Sequence, residues 1–186
     1  MKKTHILLIA ALCIALAAGC GGNGGSKDSE AVYAASEAKM WLSFNDGMAL
    51  AAKEQKHVVI DFYTSWCHWC KVMDKETFSN AEVKKFLAEN FVTIRVDAES
   101  KKGELIYKGA TYTPVELARK FGVRGYPSLA YLDRKGELVQ VIPGYWPAKN
   151  FLPLLHYMEK ECYTQKMTFE EFMKKGDCDS TRTTAM

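Results

Sequence analysis

Cys67 and Cys70, which are separated by two residues, are the side chains of this sequence best suited to chemistry. A cysteine reacts as its thiolate, and the first turn of a helix stabilises a thiolate through unsatisfied N–H groups and the positive end of the helix dipole. Cys67, at such a helix start, is the expected nucleophile. Cys70 lies one helical turn further on, so it can attack a mixed disulfide at Cys67 and release the product. The pair predicts thiol:disulfide exchange.

Three other uses of this cysteine pair fit its surroundings less well. Haem attachment requires a histidine directly after the second cysteine, where Lys71 stands. A structural zinc site needs a second close pair of ligands, and Cys162 and Cys178 lack that spacing. Inert core cysteines do not suit a helix start that is flanked by two tryptophans, a histidine and a lysine.

The elements that position the pair alternate between β-type and α-type patterns. Clusters of β-branched and aromatic residues predict strands at 58–63, 91–96, 128–132 and 138–142. Capping residues and apolar periodicity predict helices that start at Asn45, Cys67, Asn80, Thr113, Ala148 and Thr168. The short turn at 133–136 requires an antiparallel hairpin. The order predicts an α/β fold with a mixed β-sheet, helices on both faces, and the cysteine pair at the first strand-to-helix junction.

The polar, glycine-punctuated residues 98–112 are expected to form an exposed excursion rather than core. The composition, with 48% hydrophobic and 25% charged residues, excludes a disordered chain and an integral membrane bundle.

The sequence resembles the thioredoxin superfamily over about residues 41–160. The resemblance rests on 61–71, which match the family's strand, tryptophan and CxxC helix, on 122–128, which match the segment with its cis-proline, and on Gly136 and Gly144. It implies a thioredoxin-like fold. Residues 66–80 are more similar to exported thioredoxin-like proteins and to the C-terminal domain of DsbD-type membrane electron carriers than to cytosolic thioredoxin. That similarity implies a reductant or relay outside the inner membrane and leaves the direction of electron flow open.

Asp61 lies six residues before Cys67 on a strand otherwise suited to burial. The resemblance implies that a buried Asp61 with a raised pKa takes the proton of Cys70 through water during exchange. An aspartate at a strand edge, bonded to backbone, is the alternative. The lysine that stands beside this aspartate in thioredoxin corresponds to Thr93 here, which argues against a buried ion pair.

Pro127 follows Tyr126 and precedes a predicted strand. A cis bond between them would leave the Tyr126 backbone free to pair with a bound substrate chain, whereas an ordinary trans turn proline is the alternative. Trp66, Trp69 and Tyr126 are expected to form an aromatic surface for disulfide-bearing partners.

Three further aromatic side chains have two interpretations each. His68, when protonated, stabilises the Cys67 thiolate, or it is a plain surface residue. Tyr145 and Trp146 either extend the aromatic surface or pack in the core, which is the commoner use of such residues.

Cys162 and Cys178 lie 16 residues apart around a short predicted helix. We expect them to form a structural disulfide, which the chain-entropy description values at about 3 kcal/mol for a loop of this size. Two free thiols are the alternative.

The first twenty residues predict export. Lys2 and Lys3 precede a thirteen-residue apolar run from Ile6 to Ala18, which fits a signal peptide and is shorter than the ~20 residues that span a bilayer. The run ends in a sequence that resembles the bacterial lipobox, so Cys20 is expected to carry lipid. A soluble secreted protein, cut after Ala18 or Gly19, is the alternative. The domain prediction is therefore a signal peptide (1–19), a lipid anchor and glycine-rich linker (20–40), a thioredoxin-like domain (41–161) and a C-terminal extension (162–186).

The functional prediction combines these parts. The formal charge of +3 becomes +1 once the two signal-peptide lysines are removed, so no nucleic-acid partner is expected. We predict a periplasmic, lipid-anchored thiol:disulfide oxidoreductase that reduces protein disulfides, is fed by a DsbD-type membrane donor, and uses no metal and no cofactor beyond its dithiol. The alternatives are an oxidase or isomerase, or a non-enzymatic module that carries Cu(I) or another metal.

Overall fold

A computed structural model describes residues 40–178. The predicted signal peptide, nearly all of the predicted linker and Cys20, which is expected to carry lipid, lie outside these residues, as does 179–186. Within 40–178, no helix is long and apolar enough to cross a membrane.

The described chain forms six α-helices, six strands and two shorter helical segments. In chain order they are α1 (Phe44–Glu54), β1 (His57–Tyr63), α2 (His68–Met73), a π-helix (Asp74–Phe78), α3 (Ala81–Asn90), β2 (Phe91–Asp97), β3 (Leu105–Tyr107), β4 (Ala110–Tyr112), α4 (Pro114–Lys120), β5 (Ser128–Leu132), β6 (Leu138–Pro143), α5 (Ala148–Glu159), a 3₁₀ helix (Cys162–Gln165) and α6 (Phe169–Lys175).

The main sheet has the strand order β2-β1-β5-β6. β1 pairs with β2 in parallel and with β5 antiparallel, and β5 and β6 form the predicted hairpin. The parallel and antiparallel pairings confirm the predicted mixed sheet. Helices cover both of its faces, as predicted. Side chains of α2, the π-helix, α3, α5 and α6 pack on one face around Val59, and those of α1 and α4 pack on the other around Ile60. Because β1 is covered on both faces, it carries an almost continuous apolar run.

Several predicted helix starts are confirmed by their capping contacts. The Asn80 side chain accepts from the backbone N–H groups of Glu82 and Val83 at the start of α3. Thr113 and Thr168 each form a complete capping box with the glutamate three residues later.

The prediction for the start of α1 is wrong by two residues. Ser43, not Asn45, is the N-cap, and its side chain accepts from the Asp46 N–H. The helix begins early because this places Phe44 in the core. Asn45 instead holds the β3–β4 hairpin, since its Nδ2 donates to the Glu104 carbonyl at 2.8 Å and its Oδ1 accepts from the Ile106 N–H at 2.9 Å.

The prediction that 98–112 is only an exposed excursion is also wrong. The segment folds into the antiparallel hairpin of β3 and β4. Tyr107 is buried, its ring contacts Phe44 and Phe121 edge-on, and its hydroxyl donates to the Gly136 carbonyl. Ala98 is buried as well. The partners of this tyrosine lie far away in the sequence, so local polarity did not reveal its burial.

The C-terminal extension packs on the same core as the sheet. The structure joins Cys162 and Cys178 by a disulfide with a Cα–Cα distance of 5.5 Å, and both residues are buried. Phe172 of α6 packs edge-on against Tyr157 of α5. Between α5 and the 3₁₀ helix, Glu161 Oε1 lies 2.8 Å from Nε2 of the buried His57 at the start of β1.

Candidate active site

Cys67 and Cys70 are joined by a disulfide at the start of α2, the helix that follows β1 after a short loop. Their Cα atoms are 5.3 Å apart, and both side chains are buried. Cys67 is the N-cap residue, and its sulfur accepts the Cys70 N–H at 3.0 Å. The same N–H group is placed to stabilise a thiolate at Cys67 once the disulfide is reduced. The structure thus places the pair where the sequence predicts.

Asp61 lies on the face of β1 that α2 and the π-helix cover, and it is 1% exposed. Burial is the main cause that raises the pKa of its carboxyl, the Arg95 charge lowers it, and the Asp74 charge raises it, giving a pKa of about 7. Among residues 40–178, neither carboxylate oxygen has a hydrogen-bond partner of good geometry. A carboxyl with this pKa can both take and give a proton near neutral pH.

The expectation against a buried ion pair at Asp61 is wrong. Arg95 stands opposite Asp61 in the β1–β2 register, and its Nε lies 3.0 Å from Asp61 Oδ2. The N–H direction is poor for a hydrogen bond, so the contact is an ion pair held mainly by charge. Thr93 pairs with Val59, one step along the same face, and its hydroxyl donates to the Met40 carbonyl. The cation therefore comes from a different position than in thioredoxin.

Arg95 also binds Asp74, which directly follows α2. Its Nη2 donates to Asp74 Oδ1 at 2.8 Å and to Oδ2 at 2.9 Å. The guanidinium carbon lies 4.4 Å from the centroid of the Tyr63 ring and 5.4 Å from that of Trp41. Burial lowers the pKa of Arg95, but the two carboxylates outweigh it and raise this pKa above its ordinary value, so the side chain stays a cation.

Sequence reasoning missed Arg95 and Asp74. A signal for Asp74 existed, because it lies four residues after Cys70 and so on the same side of the helix. Arg95 lies two residues after Thr93 on β2, so both side chains lie on the same covered face of the sheet. Neither signal identifies the partner.

Four aromatic side chains flank the disulfide and form an aromatic rim, in which Trp66 and Trp69 are exposed and Tyr126 and Tyr145 are half-buried. Trp66 is 64% exposed and Trp69 is 55% exposed. The Trp66 ring meets Tyr126 edge-on, with centroids 6.0 Å apart, and Trp69 stacks on Tyr145 at 5.5 Å. Tyr145 also reaches the core, so it combines the two uses considered for it.

The remaining predicted site residues lie close to this rim. The Tyr126–Pro127 peptide bond is cis, and Pro127 directly precedes β5. His68 is exposed, and its ring packs edge-on against Trp69. Trp146 packs against Phe169 of α6 and serves the core. In the described part of the chain, no three His, Cys, Asp or Glu side chains form a metal-binding group.

Comparisons with known proteins agree with this geometry. A family model described as a thioredoxin-like domain matches residues 44–159. The thiol:disulfide interchange protein DsbD of Actinobacillus pleuropneumoniae serotype 5b (strain L20) is 32% identical over 111 residues, which cover 59% of this chain and 17% of DsbD. The chain thus spans only a small part of that relative's length.

Two solved structures share the fold. A thioredoxin-fold protein from Helicobacter pylori superposes with a TM-score of 0.56 at 22% identity, covering 73% of this chain and 83% of that chain. A thioredoxin from Thermus thermophilus gives a TM-score of 0.51 at 26% identity, covering 62% of this chain and 83% of that chain.

Proposed function

The chain belongs to the thioredoxin-like domain family, and on that premise we propose that it is a thiol:disulfide oxidoreductase whose Cys67–Cys70 pair exchanges electrons with protein disulfides. One observation carries the proposal. The pair lies at the N-terminus of α2, on the sheet face that also holds the buried Asp61. This arrangement supports the proposed roles of Cys67 as nucleophile, Cys70 as resolving thiol and Asp61 as proton acceptor.

In the reducing direction, the Cys67 thiolate attacks one sulfur of a substrate disulfide, and the other substrate sulfur leaves as a thiolate. Cys70 then gives its proton to the Asp61 carboxylate through water, and the Cys70 thiolate attacks the Cys67 sulfur of the mixed disulfide. The Cys67–Cys70 disulfide forms, and the second substrate thiolate leaves. Two electrons move from the dithiol to the substrate, and the two substrate thiolates take up the protons that the dithiol has lost.

The aromatic rim is the proposed contact surface for the substrate protein. Trp66 and Trp69 offer large apolar area with few rotatable bonds, which suits the docking of varied protein chains. Tyr126 and Pro127 lie beside Trp66 and are the proposed backbone contact for the substrate segment next to its disulfide.

We further propose that the protein acts as a reductant outside the cytoplasm, anchored by lipid at Cys20 and supplied with electrons by a DsbD-type membrane protein. The predicted export signal and the similarity to a thiol:disulfide interchange protein support this location and donor. The corresponding domain layout remains the one expected from the sequence, with the thioredoxin-like domain at 41–161.

Insulin reduction tests the enzymatic proposal. Cys67→Ser should abolish the activity, because no other described thiol lies at a helix start beside the rim. Cys70→Ser should instead accumulate a mixed disulfide between Cys67 and the substrate, since the resolving step is missing. Retained turnover in Cys67→Ser would overturn the proposal.

The reduction potential of the Cys67–Cys70 pair tests the direction. Equilibration with dithiothreitol and glutathione should give a value of about −270 mV, where thioredoxin lies. A value of about −120 to −180 mV, the range of DsbA and protein disulfide isomerase, would identify an oxidase or isomerase instead.

A further inference from the structure

We propose that Arg95 is a positioning residue for the exchange reaction, which holds Asp61 and Asp74 on one guanidinium and thereby fixes the proton acceptor relative to the helix that carries Cys70. The inference rests on the proposed function, because it assigns a role within the same site. It concerns neither the nucleophile nor the proton acceptor itself, but the group that orients the acceptor.

The two carboxylates belong to different elements. Asp61 lies on β1, whereas Asp74 directly follows α2, and its backbone N–H donates to the Cys70 carbonyl. Arg95 reaches both from β2. The guanidinium therefore links the strand that carries the proton acceptor to the helical turn that contains the resolving cysteine.

The guanidinium itself is held in one orientation. Asp74 binds Nη2 through both of its oxygens, and the rings of Tyr63 and Trp41 lie against the planar group. A lysine ammonium at this position would supply the charge but not the fixed fork that spans two carboxylates. The site thus depends on the shape of arginine as well as on its charge.

The contact with Asp61 differs from the contact with Asp74. Arg95 donates well-aligned hydrogen bonds to Asp74 but approaches Asp61 by charge, without a hydrogen bond of good geometry. Within residues 40–178, both Asp61 oxygens stay unused as acceptors although the side chain is 1% exposed. Burying carboxylate oxygens without hydrogen-bond partners costs free energy, and these oxygens are the atoms that receive a proton. Arg95 therefore stabilises the charged form while leaving the accepting atoms open.

The charged groups around Asp61 act in opposite directions. Arg95 from β2 lowers the pKa of Asp61, and Asp74 after α2 raises it. The β5 neighbour in register with Asp61 is the apolar Leu129, so that strand adds no charge there. Tyr63, on the same strand, faces Arg95 rather than Asp61. Removal of Arg95 and removal of Asp74 should therefore move the titration of Asp61 in opposite directions.

The experiment compares Arg95→Gln, Asp74→Asn and Arg95→Lys with a matched control, Arg134→Gln. Arg134 is an exposed, ion-paired arginine in the β5–β6 turn, at the end of β5 opposite to Pro127. The readouts are the pH dependence of kcat/KM for insulin reduction and the carbon-13 titration of the Asp61 carboxyl in the oxidised protein.

Arg95→Gln should move both midpoints upward by at least about one pH unit, because an adjacent opposite charge is lost. Asp74→Asn should move them downward, and Arg134→Gln should leave them unchanged. Arg95→Lys should keep the midpoints within about half a pH unit of wild type but lower kcat several-fold at every pH, because the charge stays and the bridge is lost.

A double variant shows whether Arg95 acts through Asp61. In an Asp61→Asn background, Arg95→Gln should cause no further change in the pH profile. The proposal is overturned if Arg95→Gln leaves the midpoints in place, or if Arg95→Gln and Asp74→Asn shift them in the same direction. If Arg95→Gln does not fold, the other two variants test the proposal. Asp74→Asn must then shift the midpoints downward, and Arg95→Lys must lower kcat while keeping the midpoints near those of wild type. A wild-type protein without insulin reduction would instead contradict the proposed function.

Discussion

The free energy of unfolding should depend on pH through the buried Asp61 carboxyl, and Asp61→Asn should remove most of this dependence. Burial raises the pKa of Asp61 from 3.8 to about 7, although the Arg95 charge opposes the increase. In the unfolded chain, the same carboxyl ionises at its ordinary pKa of about 3.9. The folded protein therefore keeps a proton between about pH 4 and about pH 7 that the unfolded chain has lost.

The sign and size of the effect follow from this difference. Because the folded state binds the extra proton, the stabilisation is fully present below about pH 4, falls as the pH rises and is lost above about pH 7. At about 1.4 kcal/mol per pKa unit, the interval between 3.8 and about 7 corresponds to about 4 kcal/mol. Asparagine imitates the protonated acid at every pH. The variant should therefore match wild type near pH 4 and exceed its stability by about 4 kcal/mol near pH 8.

Urea unfolding of the oxidised protein, measured from about pH 4 to about pH 8, gives the free energies of both proteins. Asp46→Asn is the matched control, because Asp46 is an exposed carboxylate in the first turn of α1. The reasoning fails if the difference between Asp61→Asn and wild type is the same at both ends of the pH range, since a purely steric effect would not titrate.

Three further predictions concern the framework of the site. Replacing Cys162 and Cys178 together by alanine should lower the free energy of unfolding by about 3 kcal/mol while insulin reduction persists, and loss of the activity would contradict a purely structural role. Gly47→Ala should lower the free energy of unfolding by about 2 kcal/mol, because a Cβ there would lie 2.3 Å from Ile94 Cγ1 in the buried sheet. An unchanged urea midpoint would show that Ile94 can move aside. Asn45→Ala should speed hydrogen exchange at the Ile106 amide, with no change in the β1 amides, because the hydrogen bonds of Asn45 to Glu104 and Ile106 are lost.

Much of the dithiol site could be predicted from the sequence because its determinants are local. The spacing of Cys67 and Cys70, a strand before them and a helix after them are properties of a short continuous segment. The capping boxes at Thr113 and Thr168 and the β5–β6 turn are local in the same sense.

The partners of the site residues depend on contacts between distant segments. β1 and β2 are parallel and joined by α2, the π-helix and α3, so no tight turn sets their register. A shift of that pairing by two residues would keep every side chain on its face but would place Thr93, rather than Arg95, beside Asp61.

The sequence by itself therefore determined the chemistry at Cys67 and Cys70 and the face of β1 on which Asp61 lies. Only the tertiary structure decided which charges surround Asp61, that Trp69 stacks on Tyr145, and that Tyr107 is buried. The physical reason is that alternation and capping act over a few residues, whereas a buried ion pair or an aromatic contact requires that segments far apart in the chain pack in one register.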